Sequence, residues 1–149
     1  MNNKTGKDGD TVKLLRECDA GVKMGIKSID DVLDKIKNPD LRNILSSSKQ
    51  EHKSIGKELG EQLEKHFDDG KMPNPIATGM SWVKTNAMYL ADPTDATVAD
   101  LMTDGSNMGV KSLSRYINQY KNADEKSTNL AERLVNAELR LTEDLRRFL

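Results

Sequence analysis

The sequence predicts an all-α fold: an up-down bundle of four long helices, with one long crossover that carries an extra short helix. Three observations predict it. Apolar residues recur at spacings of three and four over several long stretches. Helix-breaking residues fall between those stretches, at Asn38-Pro39, Gly70 to Pro75, Asp92-Pro93 and Asn122. No stretch carries a strand signal, and no internal repeat suggests a solenoid. At 149 residues the chain is one domain by size, long enough for a single shared core.

The first helix, predicted over about 10–37, places Leu15, Cys18, Val22, Gly25, Ile29, Val32 and Ile36 on one stripe, widened by Ile26 and Leu33. Asn38-Pro39 ends it and starts the next, because proline cannot continue a helix yet suits the first turn of one. The second helix, about 39–69, carries Leu41, Leu45, Ser48, His52, Ile55, Leu59, Leu63 and then His66 or Phe67, with Gly70 as its terminator. After the loop Lys71 to Pro75, Asn74 caps a shorter helix over about 75–91 with Ile76, Met80, Val83, Ala87 and Leu90. A fourth stretch, about 93–121, holds Val98, Leu101, Met102, Gly105, Met108, Gly109, Leu113, Tyr116 and Tyr120. Asn122 turns the chain into the last helix, about 123–149, with Leu130, Ala131, Leu134, Glu138, Leu141, Leu145 and Phe148. Residues 1–9, polar and glycine-containing, are expected to be a disordered tail.

Connection lengths choose the topology. Two tight turns make antiparallel hairpins of the first and last helix pairs, whereas the long segment between the hairpins returns along the bundle. One long crossover is the ferritin-like arrangement.

Composition excludes several classes. Charged residues make up 32% of the chain with a formal net charge of −1, and both signs are interspersed, as on a solvated surface. There is no basic arm and no aromatic-studded basic strand, which counts against nucleic acid as a partner. No apolar run approaches the ~18 residues of a membrane span, and the start Met1-Asn2-Asn3-Lys4-Thr5-Gly6 lacks the apolar region of a signal peptide. The expected location is cytoplasmic. A single cysteine, Cys18, excludes an internal disulfide and agrees with a reducing compartment.

Two features stand out against this regular pattern. Gly21/Gly25, Gly56/Gly60 and Gly105/Gly109 are glycine pairs inside predicted helices, where each glycine costs roughly 1 kcal/mol relative to alanine. Close helix contact, or space kept between helices, is the expected compensation. His52 and Glu138 fall on otherwise apolar stripes. Measured from their turns at ~1.5 Å per residue, both lie about 21–24 Å into the bundle, and Gly25 and Gly105 are expected at that level.

Leu14-Leu15 followed by Asp19-Ala20-Gly21, then Gly79-Met80-Ser81-Trp82-Val83-Lys84, then Asp104-Gly105 with Tyr116, resemble a small bacterial ferritin-like family of unassigned function. The resemblance spans most of the chain and implies a ferritin-like fold. Metal-working members of that superfamily place a Glu on each of two helices and Glu-x-x-His on each of the other two. This chain departs from the pattern: Lys49 stands three residues before His52, Leu141 three after Glu138, and Val135 three after Glu132. The dimetal site is degenerate.

Three readings of the His52/Glu138 level follow. The favoured one is a buried pair that satisfies both groups, since buried polar groups usually pair with each other. The others are a single iron or zinc ion held by His52, Glu138 and Asp104, and a small organic ligand in the glycine-lined gap. Cys18 is read as core packing, and His66 as a structural residue near the end of its helix. Met24, Met80, Met88, Met102 and Met108 are read as core filler, and Trp82 as a cover on the bundle or a contact to a partner chain. Gly56 and Gly60, on the flank of their stripe, are expected to admit the crossover helix or a second subunit. No Ser/Cys–His constellation and no phosphate loop is visible, so the expectation is a non-enzymatic structural or interaction protein with no cofactor, working as a homodimer.

Overall fold

The structure, a computed structural model, describes residues 7–68, 70 and 93–149. Among these residues there are four α-helices and no strand: α1 (Lys7–Leu33), α2 (Pro39–Lys65), α3 (Asp95–Gln119) and α4 (Glu125–Leu145), followed by a 3-10 turn at Arg146–Phe148. They form a four-helix bundle. Helix α1 packs on α2 and α3 on α4, the two hairpins meet through α2–α4 and α1–α3, and α1 also touches α4 across the diagonal. The short helix expected over 75–91, with Met80, Trp82 and Met88, lies outside the described residues.

The starts of α2, α3 and α4 are chemically explained. Asn38 caps α2, its Oδ1 accepting from the backbone N–H of Asp40 (2.8 Å) and Leu41 (3.4 Å), with Pro39 in the first turn where its missing N–H costs nothing. Thr94 caps α3 through Thr97 N–H (3.1 Å), and Asp124 caps α4 through Ser127 N–H (2.8 Å).

The two tight turns are also held from outside their own hairpins. At one end of the bundle the Asp95 carboxylate, in the first turn of α3, accepts the backbone N–H groups of Lys37 and Asn38, both at 2.9 Å. At the other end Asp10 and Thr11 of α1 accept the N–H groups of Asn122 (3.1 Å) and Asp124 (2.8 Å). These bonds fix the helix directions: α3 starts where α1 finishes, so α2 and α3 run the same way and α1 and α4 run the other.

The core is divided in two. One apolar cluster contains Leu14, Leu15, Cys18, Val22, Ile55, Leu59, Leu113, Leu130 and Leu134; the other contains Ile29, Val32, Leu41, Leu45, Val98, Met102, Leu141 and Leu145. Fully burying a side chain of this kind contributes roughly 1.5–3 kcal/mol, so both clusters are needed to offset chain entropy. Between them lies a polar level containing His52 and Glu138.

Helix limits differ from those the periodicity predicts. Helix α1 begins at Lys7, so Lys7–Gly9 belong to it instead of to a disordered tail, and it ends at Leu33, not near 37. Helix α3 covers 95–119 instead of 93–121, and α4 covers 125–145 instead of running to 149. Helix α2 stops at Lys65, short of the expected 69, because His66 caps it and Phe67 reverses the backbone. Phe67 N–H bonds Glu64 O and Asp68 N–H bonds Leu63 O, both at 3.0 Å, the paired pattern that closes a helix around one left-handed residue. That residue is Phe67 itself, at φ 54° and 99% exposed, so it is not on the buried stripe. Gly70, at φ 87°, lies beyond the helix and against Asp19, where a Cβ would strike the carboxylate.

A phenylalanine held in the left-handed region costs about 1 kcal/mol or more relative to glycine. Phe67→Gly is therefore expected to raise stability by about 1 kcal/mol, read as a higher urea midpoint at unchanged slope.

Candidate functional site

The polar level is built from all four helices. His52 is carried on α2 and Glu138 on α4, and both are buried, His52 with only 1% of its surface exposed. Their side chains meet: His52 Nε2 is hydrogen-bonded to Glu138 Oε1. The other ring nitrogen, Nδ1, donates to the backbone carbonyl of Ser48 at 2.7 Å, one helical turn earlier, and lies 3.4 Å from the Ser48 hydroxyl. Both acceptors are oxygen, so the imidazole is well matched to carrying a proton on each nitrogen.

The electrostatics agree. Burial on its own would pull the His52 pKa down, but the hydrogen bond and charge of Glu138, the Ser48 carbonyl and the charge of Glu51 outweigh it and hold the value above that of an ordinary imidazole.

Helices α1 and α3 contribute the space. A Cβ on Gly25 would come within 2.8 Å of His52 Cδ2 and 2.9 Å of Nε2, so the ring occupies the notch this glycine leaves. Gly109 lies beside Glu138, with its virtual Cβ 3.6 Å from Cγ and 3.7 Å from Cδ. Gly109, one turn along α3 from the expected Gly105, thus packs beside Glu138. Side chains on a helix tilt toward its N-terminus, so Glu138 reaches back toward the α3–α4 turn and meets α3 one turn nearer to it.

The remaining candidates separate clearly. Asp104 is exposed, because five residues from Gly109 is about 140° round the helix, so it does not join the pair. Gly21 packs in ordinary contact against Leu113 and Leu134. Gly56 faces Val22 of α1 at 3.0 Å, which places it in the α1–α2 contact. Gly60 is exposed, with nothing within 4 Å of where its Cβ would lie, so among the described residues it makes no helix contact. Cys18 is buried, and burial pushes its thiol up to about 12, far from a nucleophile's range. His66 is the C-cap of α2. Met102 is buried, Met24 half-buried and Met108 exposed, so Met108 is not core filler.

Several partners of the level are not apparent from stripes alone. Arg133 and Arg140 of α4 pair with Glu58 (2.7 Å) and Glu51 of α2, and Lys49 pairs with Asp30 of α1 at 2.5 Å. The seven-residue spacing shared by Arg133/Arg140 and Glu51/Glu58 is the available signal, since it puts each set along one edge of its helix.

The donor set does not fit a dinuclear metal centre. Two side chains converge instead of six, Lys49 is engaged with Asp30, and no cluster of three or more His, Cys, Asp or Glu with metal-binding geometry exists among the described residues. No helix among those residues is long and apolar enough to cross a membrane. No protein-family model, curated protein or solved structure matches the chain significantly.

Gly25→Ala is expected to destabilise by about 1–3 kcal/mol, because the His52 ring is bonded on both sides and cannot yield, and this exceeds the ~1 kcal/mol gained in helix propensity. Gly60→Ala, with open space around it, is expected to stabilise by up to about 1 kcal/mol; urea unfolding of both variants checks the contrast.

The proton on His52 sets a pH dependence. Because its folded pKa is raised, the stabilisation is complete below the ordinary imidazole value of about 6.5 and is lost as pH rises through the folded value. An NMR titration of the His52 ring is expected to give a midpoint above about 6.5, and the fall in stability across that midpoint is expected to vanish in His52→Gln.

Proposed function

We propose that this chain is a ferritin-like bundle lacking the dimetal centre, and that it acts as a structural or interaction protein, as a homodimer, instead of as an enzyme. The observation that carries this reading is the closure of the mid-bundle. Both ring nitrogens of His52 are bonded, the Gly25 notch is filled by the ring, and Gly109 is packed against Glu138. The place where a ferritin-like bundle would hold its cofactor is occupied by protein side chains that satisfy one another. The parallel course of α2 and α3 supports the ferritin-like topology.

One observation favours a second reading, a single metal ion. A histidine that donates through Nδ1 to a carbonyl is oriented for ligation through Nε2, and a carboxylate lies beside that nitrogen.

Elemental analysis of protein purified without chelator, with iron and zinc titrations followed by melting, separates the two. The proposal expects no stoichiometric metal, no metal-dependent melting shift and twice the chain mass in solution. It also expects His52→Ala to cost about 3–5 kcal/mol by leaving Glu138 buried without its partner. Metal near one per chain, lost in both His52→Ala and Glu138→Ala, would replace it with the second reading.

A further inference from the structure

The two hairpins are built alike. Met24-Gly25-Ile26-Lys27-Ser28-Ile29 on α1 recurs as Met108-Gly109-Val110-Lys111-Ser112-Leu113 on α3, with Gly21 and Gly105 at matching positions ahead of them. At the same offset Leu14, Leu15, Cys18, Val22 and Ile29 correspond to Val98, Ala99, Met102, Ser106 and Leu113, and all are buried. A shared 3-4 period would by itself make the burial agree. It would not make four residues of a string of six identical, nor the bonding at the turns agree.

That bonding follows the same correspondence. The offset matches Thr11 with Asp95. Thr11 accepts the backbone N–H of Asp124, the cap of α4, and Asp95 accepts the backbone N–H of Asn38, the cap of α2. On the second helix of each hairpin, His52 lies as far beyond Asn38 as Glu138 lies beyond Asp124. Gly25 touches His52 and Gly109, its counterpart, touches Glu138. Since two equivalent residues touch each other, a pseudo-twofold axis passes between His52 and Glu138.

We infer that the chain is a tandem duplication of one helical hairpin, and that the difference between His52 and Glu138 makes the first hairpin pair with the second instead of with its own kind in another copy of the chain. The equivalent apolar stripes would accept either pairing. The axis position does not. Pairing first with first would set imidazole against imidazole, and second with second would bury two carboxylates face to face, each without a partner of opposite charge. Only the unlike pairing sets opposite charges against each other. A penalty against wrong partners is how interfaces between similar elements become specific.

Four chains test this: the wild type, His52→Glu, Glu138→His, and the exchange His52→Glu/Glu138→His. Each single variant is expected to melt below the wild type. The exchange is expected to recover more than half of the larger loss, because a carbonyl one turn back, from Leu134, is available to the transplanted ring as Ser48's is to the native one. An exchange variant that melts no higher than the weaker single variant would overturn the equivalence, even if that single variant fails to fold. Unfolding and refolding the two single variants together tests the pairing itself. Exchange of hairpins between chains restores two unlike pairs, so the co-refolded mixture is expected to melt above either variant refolded alone and to contain a mixed dimer by native mass spectrometry. Ordinary association of intact bundles would occur equally when the two folded variants are simply mixed, so a co-refolded mixture that melts no higher than that simple mixture would overturn the assignment of partner choice to these two positions.

Discussion

The hydrogen bond between His52 and Glu138 fixes how the two hairpins sit against each other. Apolar stripes on α1 to α4 supply most of the burial, but leucine against leucine tolerates sliding and rotation far better than a donor against an acceptor. A slip of one turn along α2 or α4 would carry the pair about 5.4 Å apart and leave two ionisable groups buried without partners. Gly25 depends on this geometry, because its notch is shaped by the ring that fills it. The division of the core into two apolar clusters follows from the same level.

The ends of the bundle repeat the logic with backbone groups. The N-terminus of a helix exposes N–H groups that nothing within the helix accepts, and a tight turn adds more. Here the turn N–H groups are taken by Asp95, Asp10 and Thr11, each from the opposite hairpin. Each hairpin is thereby clasped at its turn by the other, and the central pair is supported from both ends. The ion pairs along α2–α4 add little by comparison, since Arg133–Glu58 and Arg140–Glu51 are largely exposed and screened.

Much of this was legible in the sequence, for identifiable reasons. The 3-4 spacing of Leu15, Cys18, Val22 and Ile29 specifies a helix face, and Asn38-Pro39 specifies a helix start, because both depend only on local geometry. His52 and Glu138 were visible because a charge on an apolar stripe is costly unless paired, and residue counting put both at one height. The contact of Gly109 with Glu138 depends on side-chain tilt, which a count along the axis omits. The end of α2 is hidden from the periodicity because the left-handed position is filled by Phe67, the kind of residue least expected there. The clasps at the turns were invisible for a different cause: Asp10, Thr11 and Asp95 look like ordinary helix-start residues, and only the tertiary fold gives them a turn to bind.

A buried ionic pair is a poor way to gain stability, since apolar residues of similar volume often do as well or better. Its presence at the centre of this bundle therefore calls for another role, and two are available. A ligand site would need further donors at the same height, and among the described residues the side chains that converge there are two, with Asp104 turned to solvent. A specificity role needs only what is present: one position in each hairpin, equivalent by sequence and packing, filled by unlike residues. Two similarly built hairpins on one chain create a choice of partners that a single hairpin does not face, and the unlike pair resolves that choice where the stripes alone leave it open. On this view the polar level belongs to the assembly of the bundle, and recognition of any other molecule is left to its outer faces and its ends.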